Sequence, residues 1–305
     1  MTMQRGAIGG WGTGLLVAVV LLATAVGPLV LHFGQKRHNR LPFDVGAEFP
    51  PERRIVGGEA FTATLIAIME HELGGTTGWR PNDFFLWGPR LWADNNSNRQ
   101  LGILQAVRES LRVLKDHLTK VSSNEFDANL VAADTAFRND PEKFWLPSAE
   151  GKFHEGIRHL RAYLEGLATT PPKSRPINQR NVELMRLFQA WTDLLGDAHA
   201  NLYRYPESVW STDDDFYRAQ GFAHVTYHLV RAVAREYQHE FETKPVMRPL
   251  FDEVADALGK AAVMKPLIVF DGQPAGLFAN HRRNLDAYIS EARQKMYSIR
   301  EELEK

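Results

Sequence analysis

The sequence predicts an all-α protein with an N-terminal transmembrane helix followed by a multi-helix, bundle-like domain. One uncharged apolar run near the N-terminus predicts the first part. Apolar residues spaced three and four apart through most of the remaining chain predict the second. The composition is that of a globular protein, with 44% hydrophobic and 24% charged residues, so the chain has enough apolar material for a sizeable core.

Residues 11–31 carry no charge. At a rise of about 1.5 Å per residue, a helix of this length spans roughly 30 Å, the thickness of a bilayer core. Residues 1–10 then form a short N-terminal tail. Ala23-Thr24-Ala25 has the small-x-small form of a signal-peptide cleavage site, which is the alternative interpretation. Because the apolar run continues to Leu31, we expect an uncleaved anchor whose partner is the lipid bilayer.

The charges on either side of this run bear on the orientation of the anchor. Lys36, Arg37 and Arg40 follow the apolar run, whereas Arg5 and the terminal amine precede it. Positive residues usually stay on the cytoplasmic side, so the local charge count favours a cytoplasmic body.

The rest of the chain divides into a tether and a helical domain. Residues 32–57 contain several prolines and glycines and no sustained period, which is typical of a tether. Residues 58–305 are expected to form about seven or eight helices, and a proline-rich loop near residue 171 allows two lobes, 58–169 and 176–305. Apolar stripes carry this prediction: Leu104, Val107, Leu111, Leu114, Leu118, Val121; Phe153, Ile157, Leu160, Leu164, Leu167; Leu184, Phe188, Trp191, Leu195, Ala198, Leu202; Phe216, Ala219, Ala223, Thr226, Val230, Val233, Tyr237; Leu285, Ile289, Ala292, Met296, Ile299.

Composition excludes several classes of function. No run rich in Lys and Arg occurs in the mildly acidic body, so we expect no nucleic-acid partner. The chain has no cysteine, which excludes disulfides and thiolate chemistry. His224 and His228 have a spacing that can chelate a metal, but the neighbouring Arg231 disfavours a cation, and we expect no metal and no cofactor. Glu236 and His239 give only half of a di-iron motif.

No familiar catalytic motif is present, so catalytic residues are unknown and a non-enzymatic role is favoured over an enzymatic one. The remaining polar candidates lie at two predicted helix starts. The simpler interpretation is local: a capping box at Thr212 and Asp215, an i,i+4 ion pair, and a cap at the last helix. The functional interpretation is a groove lined by six residues: Asp214, Tyr217, Arg218, His228, Asn280 and His281.

The segment WRPNDFFLWGPRLW, residues 79–92, is rich in aromatic residues without helical order. Such a segment is most simply a loop folded onto the core. The alternative is an exposed loop that touches a protein partner or the bilayer interface. Five residues would make that contact: Trp79, Phe84, Phe85, Trp87 and Trp92.

Three blocks of sequence resemble a known bacterial family. They are WLPSAEGKFHEGI at residues 145–157, DDFYRAQG at residues 214–221 with its continuation to Ala232, and GLFANH at residues 276–281. In this order they are similar to the membrane-anchored bacterial proteins of domain of unknown function 2333. The resemblance implies one N-terminal anchor and a body outside the inner membrane, but it implies no catalytic residue. The basic stretch before the family's anchor is reduced here to Arg5.

Together these observations predict a single-pass inner-membrane protein of the cell envelope. Its periplasmic body would be a helical scaffold or interaction domain with a protein partner. The alternative is a helical enzyme or ligand-binding protein of unrecognised type. A cavity where the six polar residues converge would favour the alternative, whereas a solid core with exposed apolar patches would favour the scaffold.

Overall fold

The computed structural model describes residues 8–74, 78–83, 94–120, 125–204, 212–272 and 278–305. Helices make up the regular structure of these residues, and a single antiparallel bridge joins Asp271 to Asn280. The predicted all-α class is therefore confirmed for the described part of the chain.

The chain begins with a long helix, α1, from Ile8–His38, followed by the short α2 at Val45–Glu48. In the ranges given above, no helix combines the length and the apolar character that crossing a membrane requires. The helical part of the prediction for residues 11–31 is confirmed, whereas the membrane-spanning part gains no support.

The body contains eight helices of ten or more residues in its described part, which agrees with the number predicted. A π-helical turn at Leu114–Leu118 extends α4, and a six-residue helix, α9, lies at Gln238–Thr243. The eight are α3 Glu59–Leu73, α4 Asp94–Val113, α5 Ala128–Phe137, α6 Ala149–Leu167, α7 Asn181–Tyr203, α8 Thr212–Glu236, α10 Met247–Val263 and α11 His281–Glu304.

The predicted stripes supply one continuous hydrophobic core. The Phe188 ring of α7 packs edge-on against Trp191 at 5.4 Å and against Phe251 of α10 at 5.3 Å between ring centres. Such aromatic packing adds to the free energy gained by removing apolar surface from water. Among the stripe positions, Leu164 is only partly buried and Val121 lies outside the described residues.

A close helix crossing joins the two predicted lobes. A Cβ atom at Gly102 of α4 would lie 2.2 Å from the carbonyl oxygen of Arg218, and one at Gly221 of α8 would lie 2.3 Å from that of Arg99. Glycine at both positions therefore allows the two backbones to touch. Because α4 belongs to the first predicted lobe and α8 to the second, the lobes share one core.

Part of the segment predicted as a tether packs against the body. Val45 and Phe49 are buried in a small apolar cluster with Ala232 of α8. Arg235 of α8 donates hydrogen bonds to the carbonyl oxygens of Phe49, at 2.7 Å, and Pro50, at 2.9 Å. These contacts use backbone oxygens and unevenly spaced side chains, so they leave no period in the sequence.

Candidate functional site

Two oppositely charged side chains are buried together where α3 ends and α4 begins. Glu72 Oε1 and Arg99 Nη1 lie 2.9 Å apart, and both side chains are at most 1% exposed. Burial acts to raise the pKa of Glu72, but the charge and hydrogen bond of Arg99 outweigh it, so the pKa is lowered. Gln100 donates from Nε2 to Glu72 Oε2 at 3.2 Å and to the Gly78 carbonyl at 2.9 Å. The opposite charges and these hydrogen bonds offset the cost of removing the pair from water, as a buried ion pair requires.

The C-terminal end of α1 is attached beside this pair. The rings of His38 and His71 stack with 4.1 Å between their centres, and His71 Nε2 bonds to the His38 carbonyl oxygen. Burial lowers the pKa of His38, although the negative charge of Glu72 acts in the opposite direction. The N-terminal helix therefore enters the body at the end of α3.

Two further histidines lie on one face of α8. His224 is 3% exposed and His228 is 7% exposed, and their rings meet edge-on with 4.8 Å between centres. In the described part of the chain, His224 Nε2 and His228 Nδ1 are buried without a hydrogen-bond partner. Buried polar atoms usually have a hydrogen-bond partner, so two unbonded nitrogen atoms in neighbouring rings indicate a binding site.

Both histidines line a surface cleft of about 650 Å³. Its walls are the chain segment 39–44, the middle of α8 and the C-terminal half of α10. Two ion pairs lie on these walls: Arg231 pairs with Asp44 at 2.8 Å, and Lys260 pairs with Asp256 at 2.6 Å. We call this the histidine cleft.

Burial keeps the two rings uncharged at neutral pH. It lowers the pKa of His228 to about 4, with a further contribution from the positive charge of Arg231. Burial also lowers the pKa of His224 well below its ordinary value, and the positive charge of Arg99 adds to this effect. A neutral imidazole offers one N–H donor and one acceptor nitrogen. The cleft can therefore present two N–H donors to a ligand.

The described residues contain no group of three or more His, Asp and Glu side chains placed to hold a metal ion.

A second histidine cluster lacks the geometry of a nucleophilic relay. Asp286 Oδ1 and Ser290 Oγ approach the same nitrogen of His199, Nδ1, at 2.7 and 3.3 Å. A Ser-His-Asp relay needs the hydroxyl and the carboxylate on different ring nitrogens, so these three residues do not form one.

The predicted residues at the start of α8 make local and neighbouring contacts. Asp214 accepts a 2.6 Å hydrogen bond from Asn98 Nδ2 of α4, and burial raises its pKa. The Tyr217 hydroxyl, at 3.5 Å, faces the carbonyl oxygen of Pro266, and burial raises the pKa of this phenol. Arg218 Nε is buried without a partner among the described residues.

The predicted residues at the start of α11 have capping roles. Asn280 Oδ1 accepts the backbone N–H of Arg283 at 2.9 Å, and its amide donates to the Gly272 carbonyl at 2.7 Å. His281 Nδ1 accepts the N–H of Phe270 at 3.0 Å. These contacts account for both side chains through local structure.

The six predicted polar residues are not gathered in one groove. Arg282 of α11 and Asp215 of α8 lie 3.6 Å apart, so the two helix starts are neighbours. His228, however, lies 14 residues after Asp214 on α8, about 21 Å along the helix axis at 1.5 Å per residue. It belongs to the histidine cleft and not to the Asn280 and His281 region.

The aromatic segment is described only in part. Trp79 is 3% exposed, donates from Nε1 to the Pro141 carbonyl at 2.8 Å, and packs edge-on against Phe153. Its burial corrects the interpretation of Trp79 as an exposed contact, because an indole whose N–H is satisfied inside the core has no surface to offer. The four other predicted contact residues lie outside the described residues: Phe84, Phe85, Trp87 and Trp92.

Sequence reasoning missed the buried Glu72, and it considered Glu236 only as half of a di-iron motif. Glu72 continues the apolar stripe of Phe61, Leu65 and Ile68 at helical spacing, so a charge at a core position was the available signal. Glu236 is 4% exposed, and its two carboxylate oxygens accept the N–H groups of Gly58, at 3.0 Å, and Phe61, at 3.1 Å. The Glu236 contact joins residues far apart in sequence, so no local signal could have found it.

A family model described as an uncharacterized protein conserved in bacteria, domain of unknown function 2333, matches residues 7–209 and 197–305. The chain belongs to this family. The resemblance stated from the three sequence blocks is thereby confirmed. No curated protein and no solved structure matches the chain. Family membership supplies no activity, so function has to be argued from the molecule itself.

Proposed function

We propose that this protein is a single-pass inner-membrane protein whose helical body is a non-enzymatic scaffold or interaction domain of the bacterial cell envelope. Residues 11–31 would be the anchor, and the lipid bilayer its partner. One observation carries the proposal: the apolar side chains of α1 lie on its surface. Leu16, Leu21 and Val30 are each 63–64% exposed. Apolar surface of this extent is unfavourable in water and favourable in lipid.

A second apolar surface supports an interaction role for the body. Phe144, Trp145 and Leu146 form an exposed loop, in which Trp145 is 79% and Leu146 93% exposed. Another exposed group lies between α10 and α11, at Leu267 and Ile268. The body combines a large hydrophobic core with exposed apolar loops, which is the arrangement expected of a protein that binds a partner.

A periplasmic body follows from the family resemblance, whereas Lys36, Arg37 and Arg40 favour the cytoplasm. Fusions at the C-terminus decide between these orientations. We expect an alkaline phosphatase fusion to be active and a fluorescent-protein fusion exported in unfolded form to be dark. A fluorescent, phosphatase-inactive pair of fusions would place the body in the cytoplasm.

The anchor itself is tested by washing native membranes with alkaline carbonate. We expect the full chain to remain in the pellet. Replacing both Leu21 and Leu22 with Asp should release it, because a charge at the bilayer centre costs about 3 kcal/mol on insertion scales. The matched control changes Leu267 and Ile268 to Asp, which removes the same apolar content outside α1 and should leave the chain in the pellet.

Two results would contradict the anchor. The first is a wild-type chain that appears in the carbonate supernatant. The second is a soluble form whose N-terminus is Val26, because that product shows cleavage after Ala25.

The alternative function, a helical enzyme or ligand-binding protein, has one observation in its favour. The histidine cleft holds buried imidazole nitrogens that the described chain leaves without partners. This observation supports ligand binding in particular, because a ligand can supply the missing hydrogen bonds.

A further inference from the structure

The histidine cleft has the dimensions of a small-molecule site. Its volume of about 650 Å³ falls within the range of about 300–1,000 Å³ typical of ligand pockets. Two buried polar groups of α8, His224 and His228, form its base, and charged side chains form its rim. This combination of a buried polar base and a charged rim is unlike the apolar surface loops proposed above to meet a partner.

The base of the cleft contains polar atoms that lack hydrogen-bond partners. A buried polar atom without a hydrogen bond costs about 1–3 kcal/mol. His224 Nε2 and His228 Nδ1 both bear this cost among the described residues. The neighbouring Glu72 and Arg99 compensate each other at 2.9 Å and so do not supply a partner. A ligand with acceptor or donor atoms could satisfy both rings at once.

The charge of the cleft indicates the sign of that ligand. Its cations are Arg40, Arg231 and Lys260, and its anions are Asp44 and Asp256, which leaves a formal charge of +1 with both histidines neutral. Each anion is already engaged by one of the cations, as described above. Arg40 has no carboxylate within ion-pair distance in the described part of the chain, so its charge is available to an anion.

We propose that the histidine cleft binds a small oxyanion, a phosphate or a carboxylate group. The N–H groups of His224 and His228 donate to its oxygens, and Arg40 supplies positive charge. An oxyanion has several acceptor lone pairs and no need of a proton, so it matches two neutral imidazole donors beside unneutralised guanidinium. The proposal goes beyond the anchored scaffold and does not depend on it.

The phosphate could come from solution or from a lipid headgroup, because segment 39–44 directly follows α1. The full chain, purified in a mild detergent, is therefore titrated by calorimetry with inorganic phosphate, with acetate, and with phosphatidic acid in the same micelles. We expect saturable binding of at least one soluble anion. Binding of phosphatidic acid alone would support the proposal with a lipid headgroup as the source of the phosphate, and binding of none of the three anions would overturn it.

Variants connect the binding to the cleft. His228→Phe retains an aromatic ring but removes its donor, and Arg40→Gln removes the unpaired charge from the rim without touching the core. Each should weaken binding about tenfold, the effect of one lost charge-assisted hydrogen bond. His239→Phe is the matched control, because His239 has a side chain that is 85% exposed and lies outside the cleft.

Unchanged affinity in both cleft variants would overturn the proposal, and Arg40→Gln keeps this test valid if His228→Phe fails to fold. Binding of Zn²⁺ or Ni²⁺ in the absence of any anion binding would also overturn it, since the two rings would then act as metal ligands. A response to anions that the His239→Phe control loses to the same extent would show binding elsewhere on the surface.

Discussion

Two buried glutamates at opposite ends of α3 have opposite pKa shifts. Glu72, near the C-terminal end, pairs with Arg99, and the charge of that guanidinium outweighs burial and lowers its pKa. Glu236, which reaches the N-terminal end of α3 from α8, accepts backbone N–H groups only. Burial raises its pKa to about 7, even though those donors act to lower it.

The difference shows that a full counter-charge can keep a buried carboxylate ionised, whereas backbone N–H groups alone do not. Peptide N–H groups at a helix N-terminus carry partial charge, about half an elementary charge in total. A guanidinium carries a whole charge and forms a shorter, stronger contact. Glu72 is therefore held as a carboxylate, whereas Glu236 is balanced between its two protonation states near neutral pH.

The largest effect is expected from Arg99→Met. This change leaves Glu72 buried without its counter-charge, and breaking a buried pair costs about 3–5 kcal/mol. Chemical denaturation of the detergent-purified full chain, followed by tryptophan fluorescence, measures the loss. The double variant, Glu72→Met with Arg99→Met, should recover a large part of it, because no uncompensated charge remains. If the double variant lost as much free energy of unfolding as the two single variants together, the two side chains would stabilise the fold through packing and not through their charges.

A smaller, pH-dependent effect is expected from Glu236→Gln. The folded pKa of about 7 exceeds the ordinary value of 4.5, so between these pH values the folded state keeps a proton that the unfolded state loses. Stability contributed by Glu236 therefore falls as pH rises from 4.5 to 7, by about 3 kcal/mol at most at 1.36 kcal/mol per pH unit. Glutamine does not titrate, so the variant should lack this fall.

The quantity to compare is the slope of the free energy of unfolding against pH, because His224 and His228 change that free energy in the opposite direction. Their lowered pKa values mean that the unfolded state binds more protons between about pH 4 and 6.5, so their contribution to stability rises with pH. Wild type and Glu236→Gln are therefore measured from pH 5 to 8, with the exposed Glu242→Gln as the control. Parallel curves for wild type and Glu236→Gln would rule out a titration of Glu236 in this range.

The same two glutamates show how far sequence reasoning reaches. The helices and their buried faces follow from local spacing, and the stripe from Leu184 to Leu202 is buried at every predicted position. The buried polar contacts cannot be predicted from local spacing, because Glu236 bonds to Gly58, which lies 178 residues away in the sequence. The spacing of His224 and His228 predicts that their rings share a face of α8, which the structure shows, but it does not predict segment 39–44 beside them. Side-chain spacing along one helix gives the face but not the neighbours.

The smallest effect is expected from Glu70→Gln, on the outer face of α3. Glu70 lies 2.5 Å from Arg161 of α6, a distance as short as many buried pairs, but the two side chains are 37% and 59% exposed. Water already solvates both charges, and holding two long side chains in one geometry costs conformational entropy, so exposed pairs contribute about 0–1 kcal/mol. We therefore expect a loss of at most about 0.5 kcal/mol that disappears in 0.5 M salt. A salt-insensitive loss of more than about 2 kcal/mol would show that proximity, and not burial, determines what a glutamate contributes to α3.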